Sequence, residues 1–315
     1  AHYSGVPSAS RGRPTSGKPR EVLNSLRDVV GRFNLNNTRR NRLVLRRLMR
    51  DRYYQSISSN PQEALGQLQA EITALSKSGK PKDILWVSLL RETYEYYRQA
   101  VEFFPRGFEE TTEYGNEPMQ PAQRYGVWEA LQTLENPEFE SAVHMSEARI
   151  GKTIMSVLSA YNIKKPQTQE YAVNRILFTT SNQAKFEASR EIKRRTNKDL
   201  NLNIIVIDAD PKKPSREQQI RNAIDLARDK TKNIMLIANY ETVRDFPELI
   251  DQFHADAHII DEIENLKAGG DTKRAPIILG RPVKYRIGIS ARPIINSVAG
   301  METSVVSVTE PGVDV

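Results

Sequence analysis

The chain contains no cysteine. That excludes a disulfide framework, thiolate zinc sites and a cysteine nucleophile, and it is compatible with a reducing compartment. It also has no apolar run long enough to cross a bilayer. Its opening residues, AHYSGVPSASRGRPTSGKPR, lack the apolar core of a secretory signal. An intracellular setting with no membrane partner is the expectation. No internal repeat is visible. Acidic residues are too few to balance the basic ones: 39 Asp and Glu stand against 46 Lys and Arg, a formal charge of +7. A basic excess suits a polyanionic partner, because neutralising phosphates releases counterions. A solvated basic surface would give the same balance.

What is present is ordinary for a globular protein. Hydrophobic residues make up 38% and charged residues 27% of 315, enough for one large domain with a smaller appendage. The chain starts at Ala1 rather than Met and stops after TSVVSVTEPGVDV. Both ends resemble cut ends, so a piece of a larger protein is expected.

Three regions differ in pattern. Residues 1–20 are rich in Ser, Gly, Pro and Arg and read as a flexible tail. Residues 21–118 read as a helical accessory region. Val22, Leu23, Leu26, Val29, Val30 and Phe33 recur at helical spacing, and a second helix is expected over Arg39–Tyr54. A third should start at Pro61 and run to about Leu75. A fourth is expected from Ile84 to Phe104, capped by Asp83 and carrying Tyr94, Tyr96 and Tyr97 as a packing face. Residues 105–120 read as a linker.

From residue 119 to 315, short β-rich runs alternate with helical ones. Strands are expected at Ala142–Met145, Arg175–Thr180, Asn203–Asp208, Asn233–Ala238, His258–Asp261 and Tyr285–Ser290, with helices near 153–162, 183–196, 215–230 and 246–253. This alternation implies βαβ units, a parallel sheet and helices on both of its faces.

The first of these strands leads through Ser146-Glu147-Ala148-Arg149-Ile150 into Gly151-Lys152-Thr153 and the apolar helix IMSVLSAY. Phosphate binding needs this order of strand, loop and helix. A glycine lets the backbone come close, and the helix N-terminus offers N–H groups and the positive end of its dipole. Lys152 can reach the β and γ phosphates, and the Thr153 hydroxyl can ligate Mg²⁺. An ordinary strand-to-helix turn is the competing interpretation. About a hundred residues later, the strand ending Ile259-Ile260 runs into Asp261-Glu262. An Asp there can hold Mg²⁺ and the adjacent Glu can polarise an attacking water. Two solvated acids closing a strand are the plain alternative.

Taken together, the segments from Pro121 to Asn296 resemble the first RecA-like lobe of the Swi/Snf-type ATPases of helicase superfamily two, relatives of the DEAD/DEAH helicases. Pro121–Trp128 (PAQRYGVW) resembles the glutamine motif of that family. Met145–Thr153 (MSEARIGKT) resembles Ala-Asp-Glu-Met-Gly-Leu-Gly-Lys-Thr, and Arg175–Phe186 (RILFTTSNQAKF) resembles motif Ia. Ile237–Val243 (IANYETV) resembles the Ser-Tyr-Glu-Thr motif. Ile260–Lys267 (IDEIENLK) resembles Asp-Glu-Ala-His followed by Leu-Lys-Asn, and Arg286–Asn296 (RIGISARPIIN) resembles motif III. The likeness covers a little over half of the chain and leaves residues 1–118 outside it.

The resemblance implies an ATP-dependent DNA translocase or helicase-like ATPase using ATP and Mg²⁺. Gln123 would read adenine, with Gly151, Lys152 and Thr153 holding nucleotide. Lys152, Asp261 and Glu262 would be catalytic, and Thr153 and Asp261 would hold Mg²⁺. Thr180, Ser181, Tyr240 and Thr242 would contact a nucleic-acid backbone, duplex DNA being favoured, and Ser290 and Arg292 would couple the two sites. A second lobe in the same full-length protein would supply an arginine finger, so this chain alone should turn over little.

Some residues depart from the family pattern. Arg149 replaces a loop glycine, Ser146 an Asp, Glu264 the His, Ala268 an Asn and Arg292 a Thr. These favour an alternative, a degenerate lobe that binds nucleic acid or acts as a scaffold without hydrolysis. A lone P-loop kinase or AAA-type ATPase is a further alternative, opposed by the Gln123 and Tyr240–Thr242 matches. Lys267, Lys273 and Arg274 in a Gly-rich loop, and Arg39, Arg40, Arg42, Arg46, Arg47, Arg50 and Arg52 near the start, are candidates for polyanion contact. Each group could equally be solvated surface.

Overall fold

A computed structural model describes residues 49–50, 53, 56–57, 59–77, 81–109, 118–136, 141–145, 151–266 and 274–290. The helix expected over 22–33 and most of that over 39–54 lie outside them. By its contacts the chain divides into two units, Ala1–Gln99 and Ala100–Val315.

Two helices with complete bounds begin in the first unit, the second ending three residues past Gln99. Helix α1, Pro61–Ser76, begins where Pro61 presets the helical turn and Asn60 caps it, its side chain accepting from the Glu63 amide. Ala64, Leu65, Leu68 and Ile72 form its buried stripe. Helix α2, Pro81–Glu102, starts three residues earlier than expected, so Asp83 lies within its first turn and is buried rather than acting as the cap. Trp86, Leu89, Leu90, Thr93 and Tyr97 recur at helical spacing and are buried. The Tyr97 hydroxyl donates to the Arg50 carbonyl, and the Arg50 guanidinium lies 3.7 Å over the Tyr96 ring. Tyr97 thus packs, and Arg50 is drawn into that packing.

The second unit is an α/β lobe, the RecA-like class of fold expected. Helix α3 spans Pro121–Leu134. Strand β1 (Ser141–Met145) and helix α4 (Lys152–Asn162) follow, then β2 (Arg175–Thr180), α5 (Lys185–Arg195) and β3 (Leu202–Val206). After them come α6 (Arg216–Leu226), β4 (Asn233–Asn239), α7 (Tyr240–Asp245), α8 (Pro247–Asp251) and β5 (Ala257–Asp261). Helix α9 (Arg274–Leu279) and β6 (Tyr285–Ser290) complete the described lobe. The six strands pair in the order β1-β6-β5-β2-β4-β3, and every pairing is parallel.

Side-chain alternation divides the interior into two layers. Ile176, Phe178, Met235, Ile237, Ala257 and Ile259 point to one face and pack with α3, α4 and α5. Leu177, Ile234, Leu236, Ala238 and Ile260 point to the other and pack with α6, α7, α8 and α9. Strands covered on both faces read as continuous apolar runs, as IMLIA in β4 does.

Several expected boundaries move. Arg274 opens helix α9 instead of closing a Gly-rich loop. Pro105–Phe108 is not a free linker. The Arg106 amide donates to Asn162 Oδ1 at 2.9 Å, its guanidinium donates to the Tyr161 carbonyl at 2.8 Å, and Phe108 bridges to Thr196 and is buried. The polar letters of that segment hide one buried aromatic and one arginine with an internal partner. Among the described residues no helix is long and apolar enough to cross a membrane.

Candidate nucleotide site at the carboxyl edge of the sheet

Parallel strands point all their carboxyl ends to one edge, where ligands of open α/β sheets bind. The register gives the order along that edge. Met145 pairs with Ser290, Asp261 with Ile289, and Thr180 with Asn239. Strand β6 therefore stands between β1, which leads to the Gly-Lys-Thr turn, and β5, which ends in Asp261. Two inter-strand steps of about 4.8 Å separate the two, room for phosphate and a metal ion. Ser290, buried, ends the strand between them.

Gly151 is the N-cap of α4, in the left-handed conformation with φ 78°, and no side chain caps this helix. The first intrahelical bond runs from the Met155 amide to the Gly151 carbonyl at 3.0 Å. A helix start of this kind presents backbone N–H groups outward. Lys152 and Thr153, both half-buried, begin its first turn. The residues 146–150, with Ser146 and Arg149, lie outside the described set.

Gln123 reaches the same turn from α3. Its Oε1 accepts from the Gln120 amide at 3.0 Å, and a Cβ added to Gly151 would lie 2.6 Å from its Nε2. Helices α3 and α4 pack closely here: a Cβ on Gly126 would fall 2.1 Å from Met155 Cε.

Beneath the turn lies a group that motif spacing gave no reason to notice. His144 on β1 is buried, with Nε2 3.3 Å from Ser159 Oγ. Ser159 gives its own proton to the Met155 carbonyl at 2.8 Å, so the imidazole is the donor in this pair. Burial, and after it the Lys152 ammonium, push its pKa down to about 4.

At the second centre, Thr180 Oγ1 donates to Asp261 Oδ2 at 2.9 Å. The Tyr240 hydroxyl donates to the Asp261 carbonyl. Glu262 is exposed, with a positive φ of 52°. One rung back, His258 on β5 is wholly buried with Nε2 2.8 Å from Thr179 Oγ1. Its pKa falls to about 3 through burial, then through the nearby charges of Arg286 and Arg281.

The residues expected to touch nucleic acid adjoin this centre. Ser181 Oγ accepts from the Ala184 amide at 3.3 Å. Thr242 is buried, its amide and hydroxyl both donating to Asn239 Oδ1. In this structure the hydroxyls of Thr180, Tyr240 and Thr242 all have partners inside the lobe. Arg216 lies beside Thr242 and Asp245. A further cluster follows β3. The buried Lys185 ammonium donates to the Ile207 carbonyl at 3.0 Å and lies 3.4 Å from Asp208 Oδ1, while Lys213 donates to Oδ2 at 2.9 Å. The bond from Lys213, with the charge of Lys185, holds the Asp208 carboxyl below its ordinary range. Arg292, Lys267 and Lys273 lie outside the described residues.

Among the described residues no cluster of three or more His, Cys, Asp or Glu could hold a metal by protein ligands alone. The Thr153 hydroxyl and the Asp261 carboxylate are hard oxygen donors. They fit Mg²⁺, which keeps waters and takes one or two protein ligands together with phosphate oxygens. No protein-family model matches this sequence, and no curated protein matches it.

Proposed function

We propose that the second unit binds Mg²⁺–ATP and is the first motor lobe of an ATP-dependent DNA translocase of the Swi/Snf kind. The observation that carries this is the shared edge. The uncapped α4 start with Gly151-Lys152-Thr153 and the Asp261-Glu262 turn both sit at the carboxyl end of one parallel sheet, with β6 between them. The Asp261 carboxylate of that turn accepts from the buried Thr180 hydroxyl, so it is held in place at the edge rather than simply solvated.

In this proposal the α4 N-terminus and the Lys152 ammonium receive the phosphates, and Gly151 permits the close approach. Thr153 and Asp261 would hold Mg²⁺, which would supply charge neutralisation at the phosphate oxygens. Glu262 orients the attacking water, and Gln123 faces the turn from the α3 side. The basic excess of the chain suits a nucleic-acid partner. A cation from a second lobe completes the site, a contribution of roughly 10³–10⁵ in rate where such fingers are known.

Calorimetry with Mg²⁺–ATP tests the assignment. Wild type should bind, and Lys152→Ala should weaken binding by tenfold or more, about the loss of one charge-assisted contact. Equal affinity removes the nucleotide site. Lys152-dependent binding with no turnover, even with the second lobe and duplex DNA supplied, selects the non-hydrolysing module that Arg149, Glu264 and Arg292 favour.

A further inference from the structure

Two hydroxyls from different strand ends converge on the acidic turn. Thr180, the last residue of β2, is wholly buried and donates to Asp261 Oδ2 at 2.9 Å. Tyr240, the first residue after β4, is buried, donates to the Asp261 carbonyl and lies 3.3 Å from the Glu262 carbonyl. The sheet order makes this possible. Strand β2 lies between β5 and β4, so its own last residue and the residue after β4 can both reach the turn that closes β5. The last paired rung, Thr179 with Ile260, puts Thr180 and Asp261 one step beyond it.

Each bond has a distinct physical effect. A hydroxyl donating to a carboxylate favours its charged form and fixes the plane of the group before any metal arrives. The turn itself needs holding, because Glu262 adopts a φ of 52°, a region side chains disfavour unless their surroundings impose it. The Tyr240 hydroxyl lies between the carbonyls on either side of that bend. The bend leaves the Glu262 side chain exposed at the edge.

We propose that Thr180 and Tyr240 are the positioning residues of the acidic turn, Thr180 orienting the Asp261 carboxylate for Mg²⁺ and Tyr240 holding the bend that presents Glu262. This rests on the nucleotide reading of that turn. It gives the two hydroxyls an inward task, different from the backbone contacts with nucleic acid that the family resemblance implies for them.

The test uses the 315-residue chain and a fluorescent ATP analogue, titrated with Mg²⁺. Thr180→Val keeps the shape and removes the donor, so the Mg²⁺ concentration for half-maximal nucleotide binding should rise about 10–100-fold, the usual cost of losing an outer-shell partner. Affinity in excess EDTA should stay at the wild-type value, and Thr180→Ser should restore the Mg²⁺ dependence. A purely structural role would move the EDTA affinity as well. A second readout needs no nucleotide: at a fixed pH of about 7.5 the Asp261 carboxyl carbon resonance should be broader in Thr180→Val than in wild type, as one held orientation gives way to several. For Tyr240→Phe, amide hydrogen exchange across residues 262–266 should quicken.

An unshifted Mg²⁺ requirement in Thr180→Val, or a Thr180→Ser variant as impaired as the valine, overturns the role of Thr180. Unchanged exchange in Tyr240→Phe overturns that of Tyr240. Lys152→Ala separates the two layers of inference. If it leaves nucleotide affinity untouched, the nucleotide reading is what fails, while the width of the Asp261 resonance still decides whether Thr180 orients that carboxylate.

Discussion

At the residue scale the site depends on one glycine. Gly151 sits at φ 78° with Gln123 Nε2 where a Cβ would go. Two costs fall on any replacement. An L-residue in the left-handed region is disfavoured by roughly 1–2 kcal/mol, and the displaced Gln123 loses its place in the α3 capping box. Gly151→Ala should therefore destabilise the lobe by about 1–2 kcal/mol in urea unfolding and weaken nucleotide binding further than that loss explains. A variant as stable as wild type would mean that the turn relaxes to a right-handed conformation. Gly126 is the other close approach, and there Met155, a flexible side chain, is what a substitution would meet.

At the element scale, β1 and β5 each carry a buried neutral imidazole, His144 and His258. Both have folded-state pKa values depressed below the ordinary 6.5, to about 4 and about 3. The unfolded chain therefore takes up protons first as pH falls. Stability is fully present above about pH 6.5 and declines as pH falls toward those lower values. The limiting slope is about 1.4 kcal/mol per pH unit for each histidine. Urea midpoints measured from pH 7.5 to 4.5 should fall steadily. His258→Asn should flatten the lower part of that curve, even though it weakens the fold at pH 7.5 by disturbing the bond to Thr179. A profile with the same slope in variant and wild type would place the acid sensitivity elsewhere.

At the scale of the whole molecule, charge and the proposed second-lobe contribution set the expectations. The net +7 predicts salt-sensitive nucleic-acid binding. Removing residues 1–60, with the arginines from Arg39 to Arg52, should flatten the slope of log affinity against log salt. An unchanged slope would leave those arginines as solvated or packing residues, the state in which Arg50 is found over Tyr96. Steady-state ATPase by the 315-residue chain should be slow, with or without duplex DNA. Turnover equal to that of a two-lobed protein would make the second-lobe requirement wrong.

Local pattern determined much of this protein. The bounds of β2 and β6 coincide with the apolar runs Arg175–Thr180 and Tyr285–Ser290, and α4 follows its glycine as the helical spacing implies. The parallel sheet follows from strands alternating with helices. These features are legible because period and turn chemistry act over a few neighbouring residues. Short helices such as α7 and α9 are not legible, since each gives fewer than two turns of pattern. Phe108, read as linker, is buried because the Arg106–Asn162 bonds span 56 residues of chain. Tertiary structure alone decided who meets whom at the edge. Thr180 finds Asp261 across 81 residues and Tyr240 reaches it across 21. Both depend on β2 lying beside β5 and β4, an order set by how the crossovers pack their helices on two faces. No stretch of local sequence carries that order.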